Sequence, residues 1–424
     1  MKNQRTSTYK NGKVFRKMNM DFVENGGVVS PAGFQAAGIA CGVKRNKAAD
    51  LALLKSDRPC NFAGTFTTNL FPAAPVQLCK ERVLNQKTVR AVVVNSGVAN
   101  ACVGLGGYDD AVKMCEITAR ELGVATEEVL VSSTGRIGNR LPMDIIEKGI
   151  GMAAKELSCE GGAAAARAIM TTDTRPKELA VSLILGGKKV TIGGMCKGAG
   201  MIAPLMAVPH ATMLCYITTD AEVSNETLSA MLGASVSESF NRVNVDGDMS
   251  TNDTVLILAN GASGVKIEAG TPEAESFRSA LDIVTVNLAR AIAMDGEGAT
   301  KFVSVEVSGA ANDQEAEYCA RTIANSMLCK TAWFGCDPNW GRIVAALGYA
   351  HVPFDPDKVD IYYDDMIVVS KGGDAGTPEA DLAKVLQNRE FTVKVHLNQG
   401  SGEYWVWTSD VSYEYVKINA EYHT

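Results

Sequence analysis

Across residues 198–219 the chain carries no Asp, Glu, Lys or Arg, so any fold it adopts must bury that run or place it in lipid. The run is long enough to cross a bilayer. Pro204, Pro209, His210, Thr212, Thr218 and Thr219 interrupt it, however, and two prolines with a histidine would free backbone groups that hydrocarbon cannot satisfy. The reading left is a buried segment of a globular core, with Thr212 opening a strand over residues 213–218.

Composition agrees with that reading. With 46% hydrophobic and 21% charged residues in 424 positions, the chain can form a sizeable core, divided into roughly two or three domains or kept as one. The surplus of 48 acidic over 41 basic residues argues against a nucleic-acid or anionic-membrane partner. Eleven cysteines without a CxxC pair suggest reduced thiols rather than a disulfide framework or zinc ribbon. The basic first seventeen residues lead into no apolar stretch of a secretory signal, so a cytoplasmic protein is expected.

Short apolar strands alternate with amphipathic helices along the chain. Residues 91–94 and 129–131 read as strands ending in the loops NSGVANAC and SSTGRIG. Between them Val112, Cys115, Ala119 and Leu122 make the stripe of a core-facing helix, with Asp109 and Asp110 in its first turn. Thr271, Pro272 and Glu273 start a second helix, whose face continues through Phe277, Ala280, Leu281, Val284, Leu288 and Ile292 and which should stop at Gly296. Val393, Val395 and Leu397, followed by NQGSGE and residues 404–408, read as a hairpin. This mixture predicts an α/β fold of layered sheets covered by helices rather than a wound parallel sheet.

Much familiar chemistry is absent from the sequence. Four histidines stand at 210, 351, 396 and 423, none in a metal-ligand spacing, so no metal is expected. No GxxxxGK[ST] loop, GxGxxG turn or GxSxG elbow occurs, which leaves nucleotide cofactors without support. An enzyme built from this chain must use hydroxyls, backbone donors and a few buried charges.

The most informative string is GGMCKGAGMIAPLMAVPHATMLCYITTDA, residues 193–221. Gly198 and Gly200 permit close backbone approach, Lys197 sets one cation at the border of the apolar run, and Thr212 begins a strand. Taken singly, each has an ordinary structural reading. Taken with GFQAAGIACGVK (33–44), GTFTTNLFPAAPV (64–76), VVVNSGVANAC (92–102), SSTGRIG (132–138), IMTTDTRPKE (169–178), SFNRVNVDGDMSTNDT (239–254), DGEGATKF (295–302), FGCDPNWGRI (334–343) and YVKINAEYHT (415–424), the string resembles the glutamate N-acetyltransferase family. These are the ornithine acetyltransferases of arginine biosynthesis, and the resemblance covers nearly the whole chain.

The resemblance implies a two-domain layered sandwich of the self-processing N-terminal-nucleophile type. The precursor would cut its own bond between Ala211 and Thr212, giving an alpha chain, 1–211, and a beta chain, 212–424, that stay together and assemble into a higher oligomer. A threonine hydroxyl is a poor nucleophile until a base takes its proton, and a free N-terminal amine on the same residue supplies that base. By the same resemblance Thr134 and Gly135 are the oxyanion donors. Substrate is bound by Thr171 or Thr172, Lys197, Glu297, Asn419 and Thr424, with Thr212 itself. A cation for an α-carboxylate and an anion for an ammonium suit an amino-acid pocket. The stretch from Met206 to Ala211 is four residues longer than the family pattern. At the tail, Tyr413, Tyr415, Val416 and Ile418 are expected to anchor the chain end against the core.

The activity so implied is cofactor-free transfer of acetyl from N-acetylornithine to glutamate through an acetyl-Thr212 intermediate; whether acetyl-CoA is a second donor stays open. Two rivals remain at this stage. One is a self-cleaving amidohydrolase or aminopeptidase of related fold, the other an uncleaved amino-acid binding protein.

Overall fold

The computed structural model describes residues 20–203 and 213–421; Ala211, Thr212 and Thr424 lie outside the described residues. Among the described residues, a nine-stranded sheet runs in the order Met20–Phe22, Lys177–Leu185, Lys188–Lys197, Leu214–Thr219, Thr254–Ala259, Leu51–Phe66, Val89–Val98, Val129–Arg136, with Phe34–Ile39 pairing on the Leu51–Phe66 strand. That long strand accounts for the width of the sheet. Its first part pairs with Phe34–Ile39 and Val89–Val98, its last part with Thr254–Ala259.

Helices cover both faces. Ala74–Asn85, Leu105–Leu122 and Met143–Lys155 bury one core, and Asn225–Ser237 and Pro272–Met294 bury another. Successive side chains of a strand point to opposite faces. Leu214 and Tyr216 accordingly belong to the first core while Cys215 and Ile217 belong to the second, and Leu256, Leu258, Val255 and Ile257 divide in the same way. Every residue of Leu214–Thr219 is buried, which explains why this part of the run carries no charge. No helix among the described residues is long and apolar enough to cross a membrane.

The second unit is a seven-stranded sheet, ordered Val243–Asn244, Gly402–Ser409, Phe302–Ala310, Glu390–His396, Asp360–Tyr363, Met366–Ser370, Gly373–Asp374. It has its own core with Asp313–Asn325, Met327–Phe334, Trp340–Gly348 and Glu379–Gln387. The architecture is thus the α/β arrangement of layered sheets covered by helices. The described residues on the two sides of positions 211 and 212 share the larger sheet, because Lys188–Lys197 pairs with Leu214–Thr219.

Three local expectations are corrected. The hairpin is not one: Phe302–Ala310 lies between Glu390–His396 and Gly402–Ser409, parallel to the first and antiparallel to the second. Alternation looks the same in adjacent strands and in strands one apart. The connecting loop spans two strand spacings, roughly 10 Å, and is tied down on the way, with Leu397 N donating to Ser308 O and Gln399 N to Gly309 O, both at 2.8 Å. The strands expected to end at residues 94 and 131 continue as Val89–Val98 and Val129–Arg136, pairing Asn95 with Ser133, Ser96 with Thr134 and Gly97 with Gly135. Polar residues sustain that ladder because backbone groups make it. Finally, Leu105–Leu122 begins at Leu105, so Asp109 and Asp110 stand in its second turn. The Pro272–Met294 helix starts as expected, with the Thr271 hydroxyl accepting from Ala274 N at 3.2 Å, and ends just short of Gly296.

A buried ion cluster joins these elements. Lys177, which opens Lys177–Leu185, donates from Nζ to Asp173 Oδ1 and to Asp295 Oδ2, both at 2.6 Å. Asp295 follows the last residue of Pro272–Met294. The three side chains are at most 4% exposed. Burial alone would push the Asp173 carboxyl up, but Lys177, Lys197 and the Gly198 N–H outweigh it and hold it at about 2. Burial alone would lower Lys177, yet Asp173 and Asp295 keep it above the ordinary lysine value.

A carboxylate depressed in the folded state contributes stability above its unfolded value and loses it as pH falls through the folded one. Wild-type unfolding free energy should therefore carry a component, on the order of 2 kcal/mol, that disappears between the ordinary 3.8 and about 2. Asp173→Asn should lack it. Denaturant titrations at several acidic pH values check this; parallel curves for the two proteins would sink the assignment.

Candidate active site

Three strand ends meet where the cluster surfaces. The C-terminal ends of Val129–Arg136 and Lys188–Lys197 and the start of Leu214–Thr219 open on a cleft of about 870 Å³, open solvent at its mouth included. Thr134, Gly135, Thr171, Thr172, Lys197, Glu297 and Asn419 all line it, together with Met213, the residue that follows Thr212. Seven positions spread from residue 134 to residue 419 are thus brought to one place.

Each wall has a local cause. At Gly135 the backbone has φ +126°, and a Cβ would lie 2.4 Å from the Gly97 carbonyl carbon, so only glycine fits beside the neighbouring strand. Thr134 and Gly135 sit on the last residues of a strand rather than in the turn expected from the sequence. Asn252 ties the strand ends together, donating from Nδ2 to Ala99 O at 2.5 Å and to Ser133 O at 2.8 Å. Lys197 is buried, its Nζ 3.5 Å from Thr134 Oγ1. The cation therefore stands at the hydroxyl, not out in solvent.

Glu297 lines the same cleft. It is 7% exposed, and a Cβ at Gly200 would come within 2.4 Å of its carboxyl carbon, so the glycine is what admits the acid. Glu297 N donates to Ala199 O at 2.9 Å, and Asn419 Nδ2 donates to Glu297 Oε2 at 2.8 Å. Burial, with Asp246, Glu297 and Asp248 nearby, raises the phenol of Tyr415, another lining residue, above its ordinary range. The cleft lining thus holds both a buried lysine, Lys197, and a buried acid, Glu297.

The tail helix Tyr413–Glu421 carries Tyr415 and Asn419 into the cleft, but not by the expected apolar anchoring. It buries no residue, and Tyr413 and Val416 are 84% and 61% exposed. Polar contacts hold it instead: Ser412 Oγ donates to Gly298 O at 2.6 Å, and Asn419 reaches Glu297. The Phe334 ring meets Tyr413 edge-on at 5.3 Å.

Several cleft residues had no sequence signal of their own. Asp246 accepts from Met201 N at 2.7 Å and Ile202 N at 2.9 Å, holding the backbone beside Gly200, and burial pushes its carboxyl up. Asn252 and Asp246 both lie in SFNRVNVDGDMSTNDT, Asp173 and Lys177 in IMTTDTRPKE. Their polar density was visible, their partners were not.

Chemically, the cleft brings together a hydroxyl, a backbone donor, a buried cation, an acid and an amide. That set suits acyl transfer on a zwitterionic ligand. The model of the ArgJ family matches residues 35–424. The arginine biosynthesis bifunctional protein ArgJ of Symbiobacterium thermophilum is 48% identical over 402 residues, 94% of this chain and 99% of that one. The glutamate N-acetyltransferase of Methanocaldococcus jannaschii is 46% identical over 412 residues, 95% of this chain and 100% of its own. A solved chain of ornithine acetyltransferase complexed with ornithine, from Mycobacterium tuberculosis, is 42% identical, covers 44% of this chain and 100% of its own, and superposes with a TM-score of 0.41. A match that runs from residue 35 to the last residue, with relatives similar along almost their full length, means that this chain belongs to the ArgJ family.

Proposed function

We propose that this chain is a glutamate N-acetyltransferase that takes acetyl from N-acetylornithine and passes it to glutamate, in the cytoplasm and without a cofactor. The observation that carries the reading is the single cleft that gathers Thr134, Gly135, Lys197, Thr171, Thr172, Glu297 and Asn419 beside Met213. Thr212 is the proposed nucleophile, freed as a new N-terminus when the bond after Ala211 is cut, so that the chains 1–211 and 212–424 remain joined through the shared sheet and, as in the family, within a larger oligomer.

In the first half-reaction Thr212 Oγ attacks the acetyl carbonyl of N-acetylornithine while the α-amine takes the hydroxyl proton. That amine titrates at roughly 7.7–8.0 in ordinary surroundings and is partly neutral at cellular pH. Thr134 Oγ1 and Gly135 N–H donate to the tetrahedral oxyanion, with Lys197 adding positive charge beside them. The C–N bond breaks, the proton goes to the leaving nitrogen, and ornithine departs from an acetyl ester. Glutamate then enters, its neutral amine attacks the ester, and N-acetylglutamate leaves with the Thr212 hydroxyl restored. Lys197 suits the carboxylate of each amino acid and Glu297, with Asn419, an ammonium group. Thr171 or Thr172 and Thr424 complete the proposed contacts. Acetyl-CoA as a second donor would add the family's bifunctional activity; a missing acetylglutamate product from acetyl-CoA and glutamate would exclude it.

Purified protein should run as two fragments of about half length, the second starting at Thr212, and Thr212→Ala should stay intact. Incubation with N-acetylornithine should add one acetyl group to the second fragment by mass spectrometry, and ornithine release should slow sharply without glutamate. Undiminished release would favour the hydrolase, and an intact chain that binds ornithine without turnover would favour the binding protein.

Thr134→Ala should lower kcat by roughly 10²-fold, the cost of one oxyanion donor, with a smaller effect on KM. An unchanged kcat would remove its hydroxyl from the mechanism.

Deleting residues 419–424 should leave a folded, self-cleaved protein, because no residue of Tyr413–Glu421 is fully buried, yet abolish or severely weaken acetyl transfer by removing Asn419 and Thr424. Full transferase activity in the truncated protein would withdraw both from the site.

A further inference from the structure

Asp173 touches no ligand position itself, yet its carboxylate fixes two of the cleft walls at once. Its side chain is 0% exposed. Oδ2 accepts from Thr171 N at 3.0 Å, and Oδ1 accepts from Gly198 N at 2.7 Å and from Lys177 Nζ at 2.6 Å. Thr171 lines the cleft from a loop, and Gly198 follows Lys197, which lines it from the end of a strand. Through Lys177 the same cluster reaches Asp295, whose carboxylate accepts from Thr174 N at 3.1 Å and from the Thr174 hydroxyl, just ahead of Glu297 in the chain. Each of the proposed contacts Thr171, Lys197 and Glu297 therefore lies within two residues of an atom bonded in this cluster.

We propose that Asp173 is a positioning residue for both substrates: its two oxygens set the spacing between the Thr171 backbone and the Lys197 backbone, and with it the register in which the carboxylate of ornithine or glutamate meets the Lys197 ammonium. The two backbone donors fill the lone pairs that any buried carboxylate must satisfy, and because they come from separate walls they also tie the Thr171 loop to the end of Lys188–Lys197. Asparagine cannot reproduce the arrangement, since its NH₂ would face either the Thr171 N–H or the Gly198 N–H, donor against donor. Glutamate keeps the charge opposite Lys177 but moves the carboxylate by one methylene. Asp295→Asn is the comparator, because it removes an equal buried charge while leaving all three Asp173 contacts in place.

The inference rests on the acetyl-transfer reading, and the experiment separates the two. Ornithine affinity is measured by calorimetry at pH 7 for wild type, Asp173→Asn, Asp173→Glu and Asp295→Asn, alongside KM and kcat with N-acetylornithine and glutamate. Expected are a Kd for ornithine and a KM for both substrates raised at least about tenfold in Asp173→Asn and about fivefold in Asp173→Glu, with kcat changed less than KM and with Asp295→Asn within about threefold of wild type. A folded Asp173→Asn with wild-type Kd and KM overturns the positioning role. Should that variant not fold, wild-type values in Asp173→Glu overturn it equally. Wild-type protein that neither binds ornithine nor transfers acetyl would instead defeat the functional reading on which the inference stands.

Discussion

Lys177, with its side chain 1% exposed between Asp173 and Asp295, ties the start of Lys177–Leu185, the loop at Thr171 and the end of Pro272–Met294 together beside the cleft. Desolvating three charges costs far more than a surface pair returns, so the cluster is tolerable only because its hydrogen bonds are filled. Asp173 completes its set on Thr171 N and Gly198 N, and Asp295 on Thr174. Removing Lys177 would strand two buried carboxylates, and this shared cation is why the ends of two strands, a loop and a long helix hold one arrangement. What the cluster contributes to stability is thus inseparable from what it contributes to geometry.

The large sheet supplies the rigid frame around that cluster. Leu214–Thr219 lies mid-sheet, antiparallel to Lys188–Lys197 and parallel to Thr254–Ala259. The strand that follows the proposed cut has its backbone bonded on both sides and its side chains packed in two cores. Backbone hydrogen bonds shared across a sheet do not depend on chain continuity. The proposed cut exchanges a peptide nitrogen for a basic amine and leaves the backbone ladder of Leu214–Thr219 with both neighbouring strands in place. The tail is built differently: Tyr413–Glu421 rides on the surface and is held by polar contacts at Glu297 and Gly298. It can bring Asn419 to the cleft without being part of any core.

The misread elements have one cause in common, that a local pattern carries no information about a distant partner. The alternation at Val393, Val395 and Leu397 correctly marks a strand, but Phe302–Ala310 enters between it and Gly402–Ser409 from ninety residues upstream. The polar strings after residues 94 and 131 look like loops because strand propensity counts side chains, whereas Asn95, Ser96, Ser133 and Thr134 stay in the ladder through their backbones. Glu297, just past a helix end, has the look of a solvated acid. It is buried because Gly200, almost a hundred residues earlier, leaves room for its carboxylate.

By itself the sequence determined the α/β class, through alternating strand and helix periodicity, and the burial of the last part of the charge-free run, Leu214–Thr219, since a strand covered on both faces has no place for an ion. It also determined the family, because ten strings in a fixed order constrain far more than any one motif. Only the tertiary structure decided which residues share the cleft and what holds them there. Asp173, Lys177, Asp246, Asn252 and Asp295 do their work through hydrogen bonds to groups up to about 150 residues away. Burial and partner choice are properties of the packed chain, and they decide whether a carboxylate is a solvated surface charge or the clamp on which two walls of a cleft are hung.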